Sequence, residues 1–197
     1  MAHKFLDQTF TPGVLAAQSR YYGRSQMIPP ATQDDALGPE EIEFIESRDS
    51  FYMASVNENG WPYIQHRGGP VGFVKVISPH EIIFADYKGN RQMLSTGNLA
   101  ANDRVSLFLM DYPRRERLKL LGHAEVLDAR EHASLVEKIA ASEMMKLTER
   151  LFKIRITAYD WNCPKYITPR YTAPEIQQII SPLKARIAEL EAQLRNS

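Results

Sequence analysis

Residues 51–66 read FYMASVNENGWPYIQH. Phe51 to Val56 is an apolar, β-prone run. It meets Asn59-Gly60, a dipeptide suited to the tight reversal of a hairpin, and the chain returns through Trp61 to His66. The same rhythm continues toward the C-terminus. Phe73 to Ile77 and Glu81 to Ala85 read as a second hairpin around Ser78-Pro79, and Arg104 to Met110 and Leu118 to Leu127 as a third pair joined by the polar stretch Asp111 to Glu116. Leu151 to Tyr159 alternates as a last strand. About seven strands with few helices between them predict a mainly β chain with helices (α+β), its antiparallel sheet closing into a barrel; a doubly wound parallel sheet would need more crossover helices.

Around this sheet the pattern changes. Residues 1–38 mix short apolar groups with turn residues, punctuated by Pro29-Pro30 and Gly38-Pro39, and read as an arm with short helices. Pro39 to Arg48 reads as a helix with Glu40, Glu41 and Glu43 enriching its start. A second helix is expected over Ala129 to Lys146. In the tail, Ile176, Ile180, Leu183, Ile187, Leu190 and Leu194 follow steps of four and three, an a/d seam, with Ser181-Pro182 read as a fresh helix start. The seam suits both a helix docked on its own domain and a dimer coiled coil. The domain division expected is 1–38 as arm, 39–172 as barrel domain and 173–197 as C-terminal amphipathic helix.

Lys plus Arg and Asp plus Glu are 24 each, so the formal net charge is zero. Nothing global attracts nucleic acid or a membrane surface, and an anion site must come from local arrangement. The single cysteine, Cys163, forms no internal disulfide, and no apolar run reaches transmembrane length. A cytoplasmic location is the expectation that follows.

The chemistry-bearing candidates are few. The five histidines, His3, His66, His80, His123 and His132, show no metal-ligand spacing, and there is no Walker A loop, G-x-G-x-x-G or nucleophile elbow. Two phosphate-suited elements remain. In His66-Arg67-Gly68-Gly69-Pro70, the arginine offers a planar bidentate donor and the glycines permit close backbone approach; taken alone, an ordinary glycine turn with a surface arginine is the better reading. Asp86-Tyr87-Lys88-Gly89-Asn90-Arg91-Gln92 runs into Met93, Leu94 and Leu99, a turn opening a short helix. Its free N–H groups and positive dipole end suit an anion at Asn90 and Arg91, and a simply capped helix is the alternative.

Together these elements resemble the FMN-binding half of the pyridoxamine 5′-phosphate oxidase superfamily over Gln65 to Tyr112, with the wider match running from Phe51 to Leu127. Arg67 stands at the family's strand arginine and Phe84-Ala85-Asp86 at its aromatic strand. Asn90, Arg91 and Gln92 stand at its Ser-Arg-Lys turn, and Leu99 to Asn102 gives its Leu-x-x-Asn element. Arg117 falls near a family glutamine that reaches the flavin. Trp161 and Arg170 have nearly the separation of a Trp and Arg that the family contributes from the second subunit. The R-G-G-P segment and the late Trp161-Asn162-Cys163-Pro164 are similar to the flavin-nucleotide-binding branch. The resemblance implies a split barrel, FMN as cofactor bound by Arg67, Gly68, Gly69, Ala85, Asp86, Asn90, Arg91, Gln92, Arg117, Trp161 and Arg170, and a homodimer with flavin at its interface.

The chain also departs from the pattern. The family lysine after the phosphate arginine is Gln92, the Arg-x-His substrate element is absent, and the stretch Ala129 to Lys146 lacks the oxidase's Tyr/Arg/Ser substrate clamp. The expectation is therefore an FMN-dependent oxidoreductase acting on an unidentified small molecule, not a true pyridoxamine 5′-phosphate oxidase. A flavin carrier or sensor is one alternative. A haem-handling split barrel is another, and it needs an axial His66 or His123 facing the cleft.

Overall fold

The computed structural model describes residues 3–161 and 164–195. Seven strands form one antiparallel sheet: β1 (Ser50–Val56), β2 (Pro62–Gly68), β3 (Val74–Ser78), β4 (Glu81–Tyr87), β5 (Arg104–Asp111), β6 (Glu116–Asp128) and β7 (Thr148–Trp161). Among the described residues six α-helices accompany them: α1 (His3–Thr9), α2 (Pro12–Tyr22), α3 (Pro39–Glu46), α4 (Leu94–Ala101), α5 (Ala133–Ile139) and α6 (Ala173–Arg195). The chain divides into two compact units, residues 1–110 with 117–163, and residues 111–116 with 164–197.

In the first unit the strand order is β2-β1-β5-β6-β7-β4-β3. In a flat sheet β1 and β4 would stand about 19 Å apart, four spacings of about 4.8 Å. Yet the rings of Phe51 on β1 and Phe84 on β4 meet with centroids 5.1 Å apart, and Phe84 stacks on Phe152 of β7 at 5.2 Å. The sheet is therefore rolled on itself, as the strand pattern predicts, in the split barrel that the family resemblance implies. Strict alternation along β5 sends Val105, Leu107 and Leu109 inward, and β6 does the same with Leu118, Leu120 and Ala124. β6 and β7 shift register between Leu121 and Gly122. A Cβ at Gly122 would overlap the carbonyl oxygen of Arg155, so only glycine fits this bulge.

Helices close the openings. Phe44 and Ile45 of α3 enter the barrel core, and Glu41 accepts from Gly38 N at 2.9 Å to cap the helix start. On the outer face, Val136 and Ile139 of α5 cover Ile83, Ala85 and Leu151. α1 buries Phe5 near Lys119, whose Nζ lies 4.5 Å from the ring centroid.

Two expectations are corrected. The helix predicted over Ala129 to Lys146 is only α5 plus a 3₁₀ turn, Met145–Leu147. Asp128 Oδ1 accepts Arg130 N at 2.9 Å, and Ala129 N bonds the Glu149 carbonyl, so local and strand-end bonds hold residues 128–131 out of a helix. In the second unit, Ser181-Pro182 does not start a helix: α6 runs unbroken through Pro182. Gln178, four residues upstream, is exposed, so the carbonyl that proline cannot bond faces solvent. No residue of α6 is buried. Trp61 is 73% exposed; the β1–β2 turn is held by Asn57 Oδ1, which accepts from Asn59 N and Trp61 N.

Candidate functional site

Rolling the sheet brings its distant strands β2 and β4 to one seam. The inward residues of β2, namely Tyr63, Gln65 and Arg67, face the end of β4 at Asp86 and Tyr87, and a cleft of about 200 Å³ lies between them. Its remaining wall is the turn Gly89 to Met93, the first turn of α4 (Leu94, Ser95, Thr96) and Arg150 of β7. The first N–H groups of α4 have no intrahelical partner, and no side chain caps them. α4 is pinned from below: Asn98 donates to the Ser55 hydroxyl of β1 at 2.9 Å, and Ser95 donates to Gln65 Oε1 at 2.8 Å.

The turn itself is tightly built. Arg91 and Met93 both have positive φ, 60° and 58°, a conformation costly for residues with a Cβ. Asn90 Oδ1 accepts from Gln92 N at 3.1 Å and its Nδ2 donates to Gln92 Oε1 at 3.2 Å, which holds the loop in that shape. Arg91 is exposed and makes no ion pair among the described residues.

The cleft floor is a partly buried charge network. Arg67 pairs with Asp86, and Asp86 is also held by Arg150, with Nε at 2.8 Å and Nη2 at 2.7 Å. Arg150 reaches Glu149 as well, at 3.2 Å. The Arg67 guanidinium lies over the Phe152 ring, 4.6 Å from its centroid, and its Nε is buried with no partner. Burial pulls its pKa below the usual arginine range, opposed by Asp86. Burial also raises the Tyr87 phenol, with Glu143 adding to the effect. Next to the cleft, and sharing Arg91, Met93, Thr96 and Arg150 with it, lies a cavity of about 980 Å³ floored by Leu99, Ala124 and Val126 and rimmed by Glu125, Asp128 and Arg130.

Of the residues singled out from sequence, the structure brings Arg67, Asp86, Asn90, Arg91 and Gln92 together around the cleft. Asn90 and Arg91 stand in the loop before α4 rather than in its first turn. The others lie elsewhere. Gly68 and Gly69 do not line the cleft: a Cβ at Gly69 would come within 2.7 Å of Phe73, so packing demands that glycine. Ala85 alternates to the outer face beneath α5. Trp161 donates to Glu41 Oε1 at 2.6 Å and packs edge-on against Phe44, which makes it part of the barrel's own packing in this chain. Arg117 sits over Phe108, 5.8 Å from the ring centroid, with its Nε buried and unpaired. Arg170, in the second unit, lies over Tyr112 at 4.9 Å. Asn162 and Cys163 of the Trp-Asn-Cys-Pro segment fall outside the described residues. Sequence reasoning missed Arg150, Tyr63, Gln65 and Ser95; the inward alternation of Tyr63 and Gln65 with Arg67 was the signal available.

His66 alternates away from the cleft and meets Tyr52, ring centroids 5.6 Å apart. His123 Nδ1 is 2.9 Å from Asp103. Neither lines the cleft or the cavity beside it.

A rolled antiparallel sheet with an arginine-lined cleft at its seam defines a split-barrel protein. A family model described as pyridoxamine 5′-phosphate oxidase matches residues 37–162, more than half of the chain, and the chain belongs to that family. Among solved structures, HupZ of Group A Streptococcus superposes with a TM-score of 0.52 at 14% identity, over 68% of this chain and 100% of that one. A histidine-to-alanine variant of HupZ gives 0.52 at 16% identity, over 64% and 98%. A putative pyridoxamine 5′-phosphate oxidase from Lactobacillus delbrueckii gives 0.49 at 20% identity, over 64% and 93%. These likenesses concern the fold. No curated protein sequence matches the chain. Among the described residues no helix is long and apolar enough to cross a membrane.

Proposed function

We propose that this protein binds FMN, with the cleft between β2, β4 and the start of α4 taking the phosphate. One observation carries the reading: Arg67 of β2 converges on one cleft of about 200 Å³ with Arg91 and the uncapped N–H groups of α4, which follow it by more than twenty residues in sequence. The residues fit a phosphate. Arg67 keeps a buried donor without a partner, Arg91 is exposed and in no ion pair among the described residues, and a helix N-terminus favours an anion. When bound, the flavin supplies the electron chemistry, and the chain supplies position and charge.

The finer function follows as part of the proposal. The chain acts as a flavin-dependent oxidoreductase on a small molecule other than pyridoxamine 5′-phosphate. Gln92 stands where the family has lysine, and α5 carries no second phosphate clamp. Two copies share the flavin. In support, the outer face of β5 and β6 leaves Phe108, Met110 and Leu121 only half-buried, and α6 exposes Ile176, Leu183, Ile187, Leu190 and Leu194. The test is FMN titration of the full chain, followed by fluorescence and absorbance. FMN should bind more tightly than riboflavin and at least as tightly as FAD, since the chain has one phosphate cluster and no dinucleotide fingerprint. Equal affinity for FMN and riboflavin overturns the phosphate assignment.

A further inference from the structure

We infer that Asp86 makes the cleft select a phosphate monoester that still carries one proton. The inference rests on the reading of the cleft as a phosphate site. A carboxylate is unusual company for an anion, and here it is central: Asp86 lines the cleft and holds both Arg67 and Arg150. A carboxylate can accept about four hydrogen bonds. Asp86 meets Arg67 Nη1 through Oδ1 and Arg150 Nε and Nη2 through Oδ2, so one acceptor position on Oδ1 remains.

The ligand's charge state then decides the contact. A fully ionised phosphate presents only acceptors, so an oxygen beside Oδ1 is repelled. A phosphate with one proton turns that repulsion into a P–OH···O⁻ hydrogen bond, of the short, charge-assisted kind. Its other oxygens still accept from Arg67, Arg91 and the α4 N–H groups. Sulfate is fully ionised near neutrality and has no proton to give.

The groups around Asp86 are carboxylate, phenol and guanidinium side chains, types that ordinarily ionise outside pH 6 to 8. They are Tyr63 and Arg67 on β2, Tyr87 beside it on β4, Arg91 on the turn, and Arg150 with its neighbour Glu149 on β7. No histidine lines the cleft. The ionisation that falls between pH 6 and pH 8 is therefore the ligand's own. A phosphate monoester loses its second proton near pH 6. Its singly protonated fraction falls from about one half at pH 6 to about one hundredth at pH 8, and affinity falls about fifty-fold with it.

The experiment titrates FMN into the full-length wild-type chain and into Asp86→Asn at pH 6 and pH 8. The wild type should lose about fifty-fold in affinity over that interval. Asp86→Asn should be nearly flat, because an amide can donate to the dianion, and it should bind FMN more tightly than wild type at pH 8. A wild-type affinity that does not change with pH overturns the inference, and so does an Asp86→Asn chain that binds more weakly at both pH values. A parallel calorimetric titration of wild type with inorganic phosphate and with sulfate at pH 6 needs no variant and no flavin. Phosphate should bind at least ten-fold more tightly, the equivalent of one pKa unit, and equal affinities sink the selectivity. If FMN fails to bind while phosphate is still preferred over sulfate, the flavin reading alone has failed.

Discussion

Arg91 and Arg67 face the same cleft on different terms. Arg91 is exposed and in no ion pair among the described residues, while Arg67 is 9% exposed and already paired with Asp86. Replacing Arg91 should therefore change binding without disturbing the fold: Arg91→Ala is expected to weaken FMN about ten- to hundred-fold, the scale of a lost charge-assisted bond. Thermal unfolding of the ligand-free chain should stay as in wild type. An unchanged Kd removes Arg91 from the site. Gly122 makes the opposite case, a residue that matters only to the fold. Its missing Cβ leaves room for the Arg155 carbonyl, so Gly122→Ala should cost on the order of 1–3 kcal/mol. Urea unfolding reads this directly, and a midpoint equal to wild type would show that the bulge can relax.

At the scale of elements, α4 is the part whose position the site depends on. Its first turn and the strained loop before it present the anion donors, and it is tied to β1 through Asn98 and the buried Ser55 hydroxyl. Asn98→Ala leaves that hydroxyl without its partner, which should cost about 1–3 kcal/mol. It should also weaken FMN binding although Asn98 does not line the cleft. Lower stability with full FMN affinity would mean that α4 is held by other contacts. α6 is the contrasting element. It buries no residue and exposes an apolar seam. Deleting residues 173–197 should leave the unfolding midpoint of the barrel nearly unchanged and weaken self-association; a truncated chain that remains fully dimeric makes the seam an accessory.

For the whole molecule, the rolled sheet explains why the site needs the complete barrel. Arg67 and Asp86 lie on strands at positions one and six of the sheet order, and their pairing staples the seam. Binding of FMN and cooperative folding should therefore be lost together in denaturant. If two copies share the flavin, dilution below the dimer dissociation constant should release FMN, seen as a rise in flavin fluorescence. Sedimentation of a monomer that still holds one FMN per chain excludes a shared site. An assay with pyridoxine 5′-phosphate should give turnover well below about 1 per second, the lower end of ordinary enzymes.

The strands were legible because each carries its own signal: alternation in Arg104 to Asp111, the Asn59-Gly60 turn, and aromatic and β-branched residues between polar breaks. The family resemblance pointed to Arg67, Asp86 and Arg91 for the same reason, since each sits in a local motif. Helix extent was less legible. Residues 128–131 have helix-compatible composition but are held by an Asx turn and by the Glu149 carbonyl, and Pro182 is tolerated because Gln178 faces solvent. Sequence could not reveal that Gly69 serves Phe73, that Trp161 serves α3, or that Arg150 joins Arg67 through Asp86. The first depends on how one loop packs; the other two depend on which elements the closing of the sheet brings together, and partners 19 to 120 residues apart leave no periodic trace. Local propensity and patterning set the strands and the fold class. Closure of the barrel alone decided which charges share a cleft, because a rolled sheet juxtaposes its first and sixth strands and a flat one does not.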